Sequence, residues 1–236
     1  MLVHGAFADA SSWNGVIERL QAKGINVTAP AVPLRGIATD SAYLETVFEE
    51  TPGPVIAVGH SYGGAVISNA AKEADNVVAL VYIAAFATEE GESLGDVTGS
   101  SKDAILMSAL VPHHYPVANG GEQAVELAID PSKFRAAFAA DLPAEETAVM
   151  AATQRPVAQT AFAEPAGAPA WKDKPSWAVI ATGDKAAGTD LTRSMAERAG
   201  AKITEVDASH VVMVSQPQAV TDVILEALDN AGGDAK

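Results

Sequence analysis

Short apolar runs that alternate with longer amphipathic segments constrain this chain more than any other feature. The runs at residues 55–58 and 77–84 consist of valine, isoleucine, leucine, alanine and one tyrosine, and they carry no charge. Such runs are typical of strands buried on both faces, and helical segments between them supply the crossovers of a parallel sheet. The pattern predicts an α/β fold with a mostly parallel, doubly wound sheet of about six strands, at residues 2–4, 25–29, 55–58, 77–84, 176–181 and 203–206.

The pattern changes between residues 89 and 169, where Gly, Ser, Asp and Pro interrupt short segments that we predict as helices, at 123–129, 131–140 and 144–154. No strand is predicted there. A helical insertion between parallel strands is expected over their carboxyl ends, where ligands bind in open α/β sheets, although helices packed elsewhere on the surface stay an alternative. We therefore predict a core formed by residues 1–88 and 170–236, and a helical cap insertion formed by residues 89–169.

Composition narrows the range of partners. The chain has 236 residues, with 30 acidic against 15 basic side chains and a net charge of −15, which opposes binding to nucleic acid and to anionic membranes. No apolar stretch reaches the roughly 18 residues that a membrane span needs, and there is no cysteine for a disulfide or a thiolate site. We expect a cytoplasmic protein; secretion stays open because the chain starts inside a predicted strand, and monomer and dimer both stay open.

The sequence Gly-His-Ser-Tyr-Gly at residues 59–63 matches the G-x-S-x-G nucleophile elbow, and it lies between a predicted strand and a predicted helix, as that motif requires. The turn is so tight that glycines are needed two residues before and after Ser61. We predict that Ser61 is a nucleophile, which requires a histidine as general base. Of five histidines, His210 follows a late strand in the loop before the last helix, and we assign it that role.

The imidazole needs an acid to fix its tautomer, and on this type of sheet the expected chain order is Ser, acid, His. Asp184 follows the predicted strand at residues 176–181 and is our prediction for this acid. Asp190 stays as the alternative acid, or as the N-cap of the helix that we predict at residues 191–199. Two backbone N–H groups are needed for an oxyanion. We predict those of Ala6 and Tyr62.

Four more side chains are candidate substrate contacts, namely Phe7, Trp13, His113 and His114. No metal site is predicted. The chain also lacks the G-x-G-x-x-G and P-loop patterns of nucleotide-binding proteins.

Four motifs together resemble the α/β-hydrolase superfamily: Leu-Val-His-Gly-Ala-Phe at 2–7, Gly-His-Ser-Tyr-Gly-Gly at 59–64, Tyr-Ile-Ala-Ala-Phe at 82–86 and Ser-His at 209–210. The branch they resemble most contains bacterial relatives of plant methylesterases and hydroxynitrile lyases. The resemblance runs over nearly the whole chain and is loose in the cap. It implies the α/β-hydrolase fold, a small-molecule ester substrate, no cofactor, and a triad and oxyanion donors at the positions given above.

Two positions separate the chemistries of that branch. The lyases carry a threonine after the first-strand histidine and a lysine after the catalytic histidine, whereas this chain has Gly5 and Val211. The resemblance therefore implies a carboxylic ester hydrolase that forms an acyl-enzyme. Lactone or thioester hydrolysis, perhydrolysis, and a ligand-binding receptor on a hydrolase scaffold stay as alternatives.

Overall fold

A parallel five-stranded sheet forms the centre of the computed structural model, which describes residues 1–117 and 123–231. Its strands lie in the order β1-β2-β3-β7-β8. Their bounds are β1 Leu2–Val3, β2 Val55–His60, β3 Val77–Ile83, β7 Ser176–Ala181 and β8 Lys202–Val206. Every residue of β2 and β7 is buried, as expected for strands covered on both faces.

The predicted strand at residues 25–29 is not a strand in the structure. Its one backbone hydrogen bond to the sheet runs from the Leu2 N–H to the Thr28 carbonyl, at 2.8 Å. Because β1 contains only two residues, it offers too few backbone groups for a longer ladder. The segment still lies beside β1, while β2 pairs in parallel with the other side of β1. The chain thus adds segments on both sides of β1, and this reversal of the order in which they are added gives the doubly wound topology.

Helices flank the sheet. Their bounds are α1 Asn14–Gln21, α2 Ile37–Glu49, α3 Tyr62–Ala70, α8 Thr189–Arg198, α9 Val212–Ser215 and α10 Pro217–Ala231. α3 packs on β2 and β3 and against α2, whereas α10 packs on β2, β3, β7 and α1. In the described parts of the chain, no helix has the length and apolar character needed to cross a bilayer.

The segment between β3 and β7 contains helices and a second sheet. Its helices are α4 Leu94–Ser100, α5 Pro131–Phe138, α6 Ala144–Thr153 and α7 Thr160–Ala163, and its strands are β4 Leu110–Pro116, β5 Gln123–Ile129 and β6 Val157–Ala158. The predictions of a helix at 123–129 and of a segment without strands were wrong. β5 pairs antiparallel with β4 from Leu110 opposite Ile129 to Pro116 opposite Gln123.

This segment is bonded to the loops at the carboxyl ends of the central strands. The Arg155 carbonyl accepts from the Phe7 N–H at 3.1 Å, and the Leu34 carbonyl accepts from the Ala158 N–H at 2.9 Å. Asp141 also accepts a hydrogen bond from the Ser209 hydroxyl. The division into core and cap stays a prediction, and it includes residues 118–122 and 232–236, which lie outside the described residues.

Candidate active site

Ser61 occupies a strained turn between β2 and α3. Its backbone angles are φ 51° and ψ −121°, a combination that residues other than glycine rarely adopt. A Cβ at Gly59 would lie 2.6 Å from the Gly63 carbonyl oxygen, and one at Gly63 would lie 2.6 Å from the Val3 carbonyl oxygen. Neither position has room for a side chain, so the two glycines are needed to let β1, β2 and α3 approach each other.

His210 and Asp184 form a buried pair across the loops that follow β8 and β7. His210 Nδ1 lies 2.8 Å from Asp184 Oδ2, and both side chains are almost fully buried. The other carboxylate oxygen, Oδ1, accepts from the backbone N–H groups of Ala186 at 2.8 Å and Ala187 at 3.1 Å. Because Oδ1 already accepts two N–H groups, Oδ2 is the oxygen placed to accept from a proton-bearing Nδ1 of His210.

The second ring nitrogen of His210, Nε2, is buried and has no hydrogen-bond partner within residues 1–117 and 123–231. With the proton on Nδ1, this nitrogen presents a lone pair. The Ser61 side chain is 7% exposed and its hydroxyl makes no hydrogen bond to another described residue. Gly5 lies close to both Ser61 and His60, since a Cβ at Gly5 would be 2.8 Å from Ser61 Cβ and 2.9 Å from His60 Nδ1. The ring of His60 lies against that of His210, with centroids 4.6 Å apart.

Asp190, the alternative acid, is engaged elsewhere. Its Oδ2 accepts from the Lys102 N–H at 2.9 Å, and its Oδ1 accepts from the Ser101 hydroxyl. It does not cap a helix start either, since α8 begins at Thr189 with Gly188 as the N-cap. Asp190 thus joins the α8 helix to the loop after α4 and is not bonded to His210.

The predicted oxyanion donors belong to the turn after β1 and to the start of α3. Tyr62 is the first residue of α3, so its N–H has no partner in the helix, and Ala6 follows the Gly5 turn at the end of β1. Neither N–H donates to another group in the described parts of the chain. Phe7, the residue after Ala6, has a positive φ of 62°, and its N–H donates to the Arg155 carbonyl.

Of the four predicted substrate contacts, Phe7 lines a cavity among the described residues. This cavity has a volume of about 350 Å³ and is bounded by Phe7, Ala8, Asp9, Ser11, Ser12, Glu146, Val149, Met150, Thr153, Gln154 and Val214. Trp13 is fully buried with its ring against His60, while His113 and His114 are exposed on β4. None of these three lines the cavity.

Buried histidines brace the loops around the site. His4 Nε2 accepts from the Val32 N–H at 3.0 Å, so its Nδ1 donates to the Gly5 carbonyl at 2.9 Å. His60 Nε2 donates to the His210 carbonyl at 3.0 Å. Burial lowers the pKa of His4, and burial together with the neighbouring His210 lowers the pKa of His60 well below the usual value.

Sequence reasoning missed two residues beside the site. Phe138 packs its ring against His210, with centroids 5.1 Å apart, and against Phe7 at 6.2 Å. Nothing in the sequence distinguishes it from other phenylalanines. Asp40 is fully buried and accepts from the Tyr62 hydroxyl at 2.8 Å. Here a signal existed, because Asp40 lies one turn before Leu44 on the buried side of α2, where an apolar residue is expected.

Among the described residues, no group of three or more histidine, aspartate or glutamate side chains is placed to hold a metal ion. The central sheet, the serine at a strand–helix turn, and the chain order Ser61, Asp184, His210 define the class of α/β hydrolases.

The chain belongs to the alpha/beta hydrolase family, whose sequence model matches residues 1–223. The carbendazim hydrolyzing esterase of Nocardioides sp. (strain SG-4G) is 32% identical to this chain over 140 residues. The match covers 54% of this chain and 54% of that protein, so the chain spans about half the length of this relative. The alpha/beta hydrolase nvfD of Aspergillus novofumigatus (strain IBT 16806) is 26% identical over 258 residues, 100% of this chain and 96% of that protein. The crystal structure of polyneuridine aldehyde esterase has a TM-score of 0.79 at 21% identity, over 96% of this chain and 97% of that one, which shows the shared fold.

Proposed function

We propose that this protein is a serine esterase that hydrolyses small carboxylic esters through an acyl-enzyme. The observation that carries the proposal is the buried pair of His210 and Asp184, 2.8 Å apart. Nε2 of His210 has no hydrogen-bond partner among the described residues, and Ser61 occupies the strained turn that a nucleophile elbow requires. The retained Gly5 and Val211 and the name of the Nocardioides relative, an esterase, support the ester class.

In the proposed reaction, Ser61 Oγ attacks the ester carbonyl carbon while its proton passes to His210 Nε2. The carbonyl oxygen becomes an oxyanion that accepts from the N–H groups of Ala6 and Tyr62. The carbon–oxygen bond to the alcohol then breaks, and His210 donates its proton to the leaving oxygen. Water then attacks the acyl carbon while its proton passes to His210; the bond to Ser61 Oγ breaks, His210 returns that proton to Oγ, and the carboxylic acid leaves. Asp184 keeps the Nδ1 proton in place and stabilises the imidazolium.

We further propose that the cavity beside Phe7 takes one arm of the ester. Ser61 and His210 are not among its lining residues, but the cavity is bounded by their chain neighbours: Phe7 directly follows the proposed oxyanion donor Ala6, and Val214 lies in the helix that follows His210. Phe7, Val149, Met150 and Val214 give it an apolar part, and burial of an apolar arm there is favourable at about 25 cal/mol per Å².

The test is hydrolysis of activated esters from acetate to octanoate by the wild-type protein and by Ser61→Ala. We expect turnover by the wild type and a loss of about 10⁶-fold in the variant. If neither protein turns over any ester, or if both do so equally, then Ser61 is not a nucleophile toward esters. Lactones, thioesters and peracid formation are tested with the same pair. Thermal stabilisation by a ligand with almost no product would instead indicate a receptor.

A further inference from the structure

The peptide group between Ser61 and Tyr62 carries one of the two proposed oxyanion donors. Its carbonyl, that of Ser61, accepts from the N–H groups of Gly64 at 2.9 Å and Phe86 at 3.3 Å. Because a trans peptide is planar, its N–H points away from its carbonyl. The carbonyl contacts therefore fix one end of this peptide, and the position of the Tyr62 residue fixes the other.

The Tyr62 side chain is almost fully buried, and its only polar atom donates to Asp40 Oδ2 at 2.8 Å. Asp40 is itself fully buried on α2 and forms no ion pair with any described residue. A buried carboxylate without a cation is costly unless hydrogen bonds compensate it. Asp40 also accepts from the Arg35 N–H, at 3.2 Å from Oδ1 and 3.3 Å from Oδ2.

These contacts connect the turn at Ser61 to the segment between β3 and β7. Asp40 holds the backbone at Arg35, the adjacent Leu34 adopts a positive φ of 61°, and the Leu34 carbonyl accepts from Ala158 in β6. The fully buried carboxylate of Asp40, which accepts hydrogen bonds from both sides, thus lies between the Leu34 turn and Tyr62. An apolar residue of similar size would fill the same space and would leave the Tyr62 hydroxyl without an acceptor.

We propose that Asp40 is a positioning residue, which holds the Tyr62 side chain so that the Tyr62 N–H stays directed at the oxyanion. The proposal rests on the proposed function, since it requires an oxyanion on a substrate bound to Ser61. Asp40 acts only through Tyr62, because its carboxylate contacts the hydroxyl of that residue and the backbone of the loop at Arg35.

The test compares Asp40→Ala, Tyr62→Phe and the double variant, using the ester that the wild type hydrolyses fastest. Complete loss of one oxyanion donor costs about 100- to 1,000-fold in kcat, and a displaced donor should cost less. We expect kcat to fall about tenfold in each single variant with KM within a factor of about two. The double variant should be no slower than the slower single variant, because both changes break the same contact.

Two further variants separate positioning from general loss of structure. Asp40→Asn keeps an oxygen that can accept from Tyr62, so it should recover most of the activity lost in Asp40→Ala. Ser41→Ala is the matched control, because Ser41 bonds α2 to α3 through the Val66 carbonyl at 3.3 Å without contacting Tyr62. We expect Ser41→Ala to keep the wild-type kcat.

A second readout reports on the oxyanion directly. A trifluoromethyl ketone forms a hemiketal oxyanion on a catalytic serine, so its inhibition constant should rise in Asp40→Ala and Tyr62→Phe in proportion to the fall in kcat. The proposal is overturned if folded Asp40→Ala and Tyr62→Phe differ as little from the wild type as Ser41→Ala does, or if the effects of Asp40→Ala and Tyr62→Phe multiply. If Asp40→Ala does not fold, the inhibition constants of Tyr62→Phe and Asp40→Asn decide the question. A raised inhibition constant in Tyr62→Phe together with near-wild-type binding by Asp40→Asn supports the proposal. Any other pattern overturns it. If the wild type shows no turnover that depends on Ser61, the proposed function fails instead.

Discussion

Replacing Asp184 by Asn should invert the hydrogen bonding of His210. Asp184 Oδ1 accepts two backbone N–H groups, from Ala186 and Ala187, so an asparagine would turn its oxygen toward them. Its NH₂ group would then face His210 Nδ1, at the position where Oδ2 now accepts at 2.8 Å. Nδ1 would have to become the acceptor, and the ring proton would move to Nε2, the nitrogen that should receive the Ser61 proton.

We expect this wrong tautomer to lower kcat by about 10⁴-fold, or about 5 kcal/mol of transition-state stabilisation. Substrate affinity should change little, because neither Asp184 nor Asn at that position contacts the cavity. The assay is steady-state hydrolysis of an activated ester by wild type, Asp184→Asn and Asp190→Asn, with circular dichroism to establish that each variant folds. Asp190→Asn is the control, since Asp190 bonds to Lys102 and Ser101 and not to His210.

The reasoning is refuted if folded Asp184→Asn keeps more than about a tenth of the wild-type kcat. It is also refuted if Asp190→Asn loses as much activity as Asp184→Asn, because Asp190 would then be the acid.

Three other changes test the geometry around Ser61. Gly5→Thr, the lyase residue, places a Cβ 2.8 Å from Ser61 Cβ, so we expect a loss of about 1–3 kcal/mol of stability and of most ester hydrolysis. His60→Gln should flatten the pH dependence of the unfolding free energy, measured with denaturant from pH 7.5 to 5.5. Val149→Phe narrows the cavity at a residue that is 64% exposed, so octanoate hydrolysis should fall about fivefold or more while acetate hydrolysis is kept.

The sign for His60 follows from its lowered folded-state pKa. Below about pH 6.5 the unfolded chain binds a proton at this histidine that the folded protein does not bind. The free energy of unfolding therefore decreases as the pH is lowered, by about 1.4 kcal/mol per pH unit, until the folded-state pKa is reached. Equal slopes in wild type and His60→Gln would contradict this.

For the cavity, Ala148→Phe is the control, because Ala148 is exposed on the same helix as Val149 but does not line the cavity. An equal effect of Ala148→Phe and Val149→Phe would contradict the assignment of the cavity. Wild-type stability and kcat in Gly5→Thr would contradict the prediction for that variant.

Local pattern was sufficient where one short segment sets the geometry. The elbow at Ser61 could be predicted because glycines at 59 and 63 are the residues that a strand–helix turn of this tightness needs. The helices α5 and α6 were predicted within two residues of their observed ends, since each has a start signal and an uninterrupted helical stretch.

Local pattern failed where a distant partner decides the outcome. Residues 123–129 have good helix formers, yet they form β5 because β4 supplies a complete antiparallel ladder, and tertiary pairing overrides propensity. Asp40 could not be connected to Tyr62 from the sequence, because 22 positions separate them and only the packing of α2 on α3 brings them together. The exposure of His113 and His114 on β4 was likewise not set by local pattern, and their contact with a substrate stays a prediction.

The sequence by itself determined the class of fold, the turn that carries Ser61 and the order of the three proposed triad residues, because these depend on local backbone preferences and on which runs can be buried. The tertiary structure alone decided which acid meets His210, that Trp13 is buried and Phe7 lines a cavity, and that Asp40 is bonded to Tyr62. Those outcomes depend on distances between segments far apart in the chain, which are set only when the sheet, its helices and the segment over them pack together.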